Sequence, residues 1–233
     1  MNVINRYDYL LSILPGLEPI GSIPPMSKNE FLSIVSGANG PIKTVQAILL
    51  SDDLVQYEAL LSQETDKDNI DIAVLPFEKA ENTPVLPDFL LPQDSTDENQ
   101  SKHLSVDGIW TRYFNHALII AKRNHSKFLK AWIGFEVGLR NAIAATRAQT
   151  LSLDPEAYLV TPELADSGFD YSSIISSWSA AHNPLMAIEI IDKARWDWLE
   201  QNGNWYSFDK DEIEVYSAKL MILHHWRRIL SDN

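Results

Sequence analysis

Glu136, Arg140 and Asn141 interrupt an otherwise apolar run, FLKAWIGFEVGLRNAIAATRA at 128–148. A carboxylate beside a guanidinium is the pairing that acid–base catalysis or anion binding uses. Neither a nucleophile, a paired carboxylate nor a glycine-rich phosphate loop accompanies them, so the residues read as architecture. Glu136 and Arg140 stand four apart in the favourable order and are expected to form a local ion pair, with Arg147 on the same flank. A companion problem lies in 184–202, where Ile188, Ile191, Trp198 and Leu199 make an apolar face with Arg195 in its middle. A buried guanidinium needs a carboxylate or several carbonyls. Glu136 is the expected partner across a helix interface, and Glu136→Gln is expected to cost on the order of 3 kcal/mol.

The other chemistry-bearing pairs are weaker. His224 and His225 are adjacent, so on a helix they point about 100° apart and cannot chelate one metal as an i,i+4 pair does. A charge role near a helix C-terminus is expected for them. Asp52-Asp53 reads as the cap of a following helix. The chain has no cysteine, which excludes disulfides, thiolate metal sites and a cysteine nucleophile. No catalytic, cofactor-binding or metal-binding residue is therefore expected. Glu136, Arg140, Asn141 and Arg195 stand as structural ion-pair and core candidates in a protein that is not an enzyme and needs no cofactor.

What positions these residues is a helical chain. With 45% hydrophobic and 10% aromatic residues over 233 positions, a sizeable core is available. Helix-like pieces follow one another between Pro and Gly breaks, and Ser27 with Glu30 forms a capping-box pattern. Asn183-Pro184 marks a sharp helix start. The segment beginning FDKDEIEVY and ending HHWRRIL places acids first and cations last, as the helix dipole favours. At 100° per residue Phe128, Trp132, Phe135, Leu139 and Ile143 share one stripe, the core face. Ala131, Gly134, Gly138, Ala142 and Ala145 lie beside it and would let a second helix approach closely. Ile70, Ile72 and Val74 alternate as a short strand would, yet no second run with hairpin chemistry follows.

The expected fold is one all-α domain over 1–233, with an acidic N-terminal lobe at 1–91, a polar loop at 92–107 and a C-terminal helical lobe at 108–233. Residues 1–107 hold 17 acidic and 6 basic side chains and 108–233 hold 15 and 13, within a net charge of −13. Such a balance lacks the basic footprint of a nucleic-acid binder. The first residues lack the basic start of a signal peptide and are too briefly apolar to span a membrane. A cytoplasmic protein without direct membrane insertion is expected.

Four stretches carry a family resemblance: YDYLLSILPGL (7–17), NHSKFLKAWIGFEVGLRNAIAATRA (124–148), ARWDWLEQN (194–202) and EIEVYSAKLMILHHWRRIL (212–230). Together they resemble an uncharacterised bacterial family similar to the C subunit of A/V-type ATPases, whose eukaryotic counterpart is the d subunit. The block from the FL of 128–129 to the F-E-x-x-L-R-N of 135–141 is the strongest element. The resemblance implies an all-helical, funnel-shaped, non-catalytic component of the central stalk that couples the central shaft to the membrane rotor ring. Its partners would be the shaft proteins and the ring, and it would sit peripheral to the inner membrane through that complex. Glu136, Arg140 and Asn141 would then stiffen the helical body, while the acidic first lobe would suit a basic shaft foot. The chain is shorter than an ordinary member of that funnel family, so part of the funnel is missing. A stand-alone helical adaptor or ATPase assembly factor is the alternative expectation.

Overall fold

The computed structural model describes residues 7–78, 83–92, 105–203 and 207–231. Helices dominate: α1 (Asp8–Ile13), α2 (Lys28–Gly37), α3 (Ile42–Leu61), α4 (Val106–Arg123), α5 (Lys127–Thr150), α6 (Ser172–Ser179), α7 (Pro184–Asn202) and α8 (Lys210–Ser231). The fold is all-α. Among the described residues the only strands are Phe77–Glu78 and Thr83–Pro84, a two-residue antiparallel pair.

Local chemistry sets the helix starts. Ser27, Ser105 and Ser126 each accept a hydrogen bond from the backbone N–H three residues on, opening α2, α4 and α5. Asn183 does the same for Met186, with Pro184 at the first position of α7. Each satisfies an N–H that the helix itself leaves without a partner. The turn before α5 bends through His125 at φ 50°. Most of the polar loop expected at 92–107 lies outside the described residues; its last two positions, Val106 and Asp107, already belong to α4.

α3 packs against both α4 and α8, α5 against α4 and α8, and α7 against α6 and α8. One hydrophobic cluster therefore runs from the first lobe into the second. Its aromatic centre is the α5–α7 contact, where Trp198 lies 5.1 Å from Phe135 and 5.4 Å from Trp132, ring centre to ring centre. Phe128, Trp132, Phe135 and Leu139 are all buried, as their common stripe requires, and Ile143 is half-buried.

The small face of α5 takes a different neighbour from the one expected. Asp166 donates its backbone N–H to the Gly134 carbonyl at 2.9 Å, and a Cβ on Gly138 would collide with the Tyr171 ring. The close approach is made by the loop between α5 and α6, not by a second helix. Its backbone needs the room because it carries hydrogen-bonding groups right up to the helix.

Candidate functional site

Two polar clusters sit inside this helical body. The first gathers around Lys28 at the start of α2, whose side chain is 0% exposed. Its Nζ lies 2.6 Å from Asp52 Oδ2 and 3.5 Å from Asp53 Oδ1, and it donates to the Asp71 carbonyl. Asp52 also pairs with Arg228 of α8. Asp71 faces His224, whose other ring nitrogen lies 2.9 Å from the Met26 carbonyl oxygen. Burial raises the Asp52 carboxyl, but Lys28 and Arg228 outweigh it and hold it well below the usual carboxylate range.

The arrangement corrects the cap reading of Asp52-Asp53. Both lie in the middle of α3, buried, and cap nothing. Asp53 instead accepts the backbone N–H groups of Ala73, Val74 and Leu75 at 2.6 to 3.1 Å. In a strand successive N–H groups point to opposite edges, so three converging on one carboxylate cannot belong to one. Residues 70–74 consequently run as a loop despite their alternation. Burial pushes the Asp53 carboxyl upward, against Lys28 and the three N–H donors.

The second cluster crosses from α5 to α7 and α8. Arg195 grips Glu136 with both arms, Nε to Oε1 at 2.8 Å and Nη2 to Oε2 at 3.0 Å. Its third nitrogen meets Asp192 at 3.1 Å, and Asp192 Oδ2 lies 2.9 Å from His225 Nδ1. Burial raises the Asp192 carboxyl, yet His225 and Arg195 bring it below its ordinary value. Burial likewise lowers the Arg195 guanidinium, and Glu136 and Asp192 more than offset it.

Arg140 does not join this chain. Instead of the expected pair with Glu136, it lies 3.6 Å from Asp107 of α4 and 4.5 Å over the Trp110 ring. The cross-helix Arg195 fork occupies both Glu136 oxygens, which leaves Arg140 to the exposed side. The adjacent histidines are also not dipole charges at a helix end, since each reaches a specific partner on a different element. Asn141 acts as a clamp: its Nδ2 donates to the Val160 carbonyl at 2.9 Å and its Oδ1 accepts the Val160 N–H at 2.8 Å. That pins the loop after α5 to the middle of the helix.

A third buried acid stands apart. Glu214 of α8 is 0% exposed, and its Oε2 accepts from Ser126 Oγ at 2.6 Å. Among the described residues its Oε1 has no hydrogen-bond partner. Burial pushes this carboxyl up to about 7, so near neutral pH it carries a proton half the time.

The second cluster borders a cleft, whereas the first meets solvent only at its outer members. Glu136, Arg195 and His225 line this cleft of about 750 Å³, bounded chiefly by α4, α5, α6 and α7, with Val55 and Glu58 of α3 also on its wall. Its walls are mainly apolar, with Ile143, Ile188 and Ile191 among them. Arg140 and Arg147 stand on the α5 wall, and the Arg147 guanidinium lies 5.2 Å over the Trp178 ring of α6. Sequence reading missed the cleft, Asp192 and the whole Lys28 cluster. One signal was available, two adjacent acids, Asp52-Asp53, inside an otherwise apolar helix.

Among the described residues no group of three or more His, Cys, Asp or Glu could hold a metal ion, and no helix is long and apolar enough to cross a membrane. Residues 51–232 match the model of a family described as protein of unknown function, DUF2764. No curated protein and no solved structure matches the chain.

Proposed function

The chain belongs to the DUF2764 family, and from that premise we propose that it is a non-catalytic part of the central stalk of an A/V-type ATPase, similar to the C subunit of those enzymes. In this reading it links the central shaft to the membrane rotor ring, lies on the cytoplasmic side and meets the membrane only through that complex. The observation that carries the proposal is the fate of the polar residues in the strongest block of the resemblance. Glu136 is locked to Arg195 and Asn141 to the Val160 backbone, so α5, α7 and the following loop are joined by bidentate contacts. Paired contacts of this kind resist rotation of one element against another better than single ones do. A body that passes torque needs that stiffness.

The test is purification of the tagged protein from its native membranes in mild detergent, with identification of what co-elutes in stoichiometric amount. Recovery of the catalytic, shaft and ring proteins together is the expected result. Recovery of the chain alone, from an extract in which the ATPase is intact, overturns the rotor reading and favours a free-standing adaptor or assembly factor.

A further inference from the structure

The cleft between α4, α5, α6 and α7 has features that a rigid connecting body does not require. Its volume of about 750 Å³ lies in the range of small-molecule sites, and its mainly apolar walls also carry three acids, Glu58, Asp107 and Glu136, beside the arginines.

The charges on the α5 wall indicate which end of a ligand is polar. Arg140 and Arg147 are seven residues apart, which places them on one side of the helix about 10 Å from each other. Each guanidinium is backed by an indole, Trp110 at 4.5 Å and Trp178 at 5.2 Å. Arg195 has its nitrogens committed to Glu136 and Asp192. Arg140 has two carboxylates nearby, Glu58, which also takes the Trp110 indole N–H, and the 57% exposed Asp107 at 3.6 Å. Arg147, by contrast, has no carboxylate within 4.0 Å among the described residues. A guanidinium held on an aromatic face keeps its fork available and loses little freedom when it accepts a planar anion.

We propose that the cleft binds a small amphipathic carboxylate, with its apolar body against Ile143, Ile188 and Ile191 and its anionic head on Arg147. Arg140 is the secondary cation, placed to draw the head towards the α5 wall. This site is independent of the rotor assignment and stands or falls without it.

Calorimetric titration of the full chain tests the assignment with three probes: decanoate, decan-1-ol and acetate. Decanoate is expected to bind once per chain and at least tenfold more tightly than decan-1-ol, with no measurable binding of acetate. Arg147→Gln is expected to weaken decanoate about tenfold without affecting decan-1-ol, and Arg147→Lys to restore part of the loss. Because Arg147 is exposed and its hydrogen-bonding nitrogens hold no other element, both variants should melt with the parent. Equal binding of decanoate and decan-1-ol, binding of many copies per chain, indifference to Arg147→Gln or no binding of decanoate would each overturn the proposal. A chain that ignores decanoate yet still co-purifies with the ATPase would lose this site and keep its rotor role.

Discussion

The Lys28 cluster and the Glu136–Arg195 chain use the same groups for opposite ends. In the first, Lys28, Asp52 and Asp53 are at most 4% exposed and the cations and acids close on one another. In the second, Arg195 keeps 26% and Glu136 17% of its side chain exposed, at the back of a cleft. Water reaches the Arg195–Glu136 pair itself, whereas in the Lys28 cluster it meets only the outer members, Asp71 at 38% and Arg228 at 18% exposed among them. A closed cluster depends on every member, because removing one leaves a buried charge alone, whereas an open one lets solvent compensate.

The largest expected effect breaks the closed cluster. Lys28→Met leaves Asp52 with Arg228 and the Gln56 amide and Asp53 with backbone donors only, and should cost about 3–5 kcal/mol in denaturant unfolding at neutral pH. A loss below about 1 kcal/mol would mean that water enters the cluster and that the contrast with the cleft is false.

Glu214 sharpens the comparison, being a buried acid whose burial outweighs its hydrogen bond from Ser126 and the pull of Lys210. Its folded carboxyl titrates near 7 against an ordinary value of 4.5, so the native state holds a proton that the unfolded chain has already released. This contribution is neutral below about pH 4, becomes steadily destabilising as pH rises through 4.5 to 7, and levels off above. Glu214→Gln should therefore raise stability by up to about 3 kcal/mol at pH 8 and change little at pH 4. Parallel stability profiles for parent and variant would show that the carboxyl is not isolated.

The open chain should yield less. The sequence alone puts the cost of Glu136→Gln on the order of 3 kcal/mol, but Arg195 keeps Asp192 and borders the cleft. A loss of about 1–2 kcal/mol follows, read from the shift in urea midpoint. Smallest of all is Arg140→Gln, where a partly exposed ion pair at 3.6 Å and a stacking contact should together be worth less than about 1 kcal/mol. If it exceeds Glu136→Gln, the interior assignment of the two arginines is reversed.

The contrast also explains what was legible before the structure. Arg195 disclosed itself because helical periodicity placed a charge in the middle of an apolar face, a conflict that any folded solution had to resolve. The same periodicity marked the core stripe of α5, and cap chemistry marked the helix starts at Ser27 and Asn183. Lys28 showed no such sign. It lies at a helix N-terminus among polar neighbours, and its partners come from α3, the loop at 71 and α8, brought together only by packing. Asp52-Asp53 resembled a cap because caps are where adjacent acids usually sit. The Glu136–Arg140 pair failed because spacing four apart permits contact but does not rank it against a fork arriving from another helix. The cleft was hidden for a simpler reason, since an empty volume is a property of the spacing between helices and no residue type encodes it.

The interlock of α8 with the first lobe has a consequence for how the chain is made. Arg228 is 176 residues from Asp52, and His224 is 198 from Met26. At translation speeds of about 5–20 residues per second, Asp52 leaves the peptidyl-transferase centre roughly 9–35 s before Arg228 is added. Throughout that interval the charges gathered around Lys28 lack their lid, and α3 lacks the helix that covers it. The first lobe therefore reaches its final packing only after α8 has been made, so its completion is a late event in the life of the new chain.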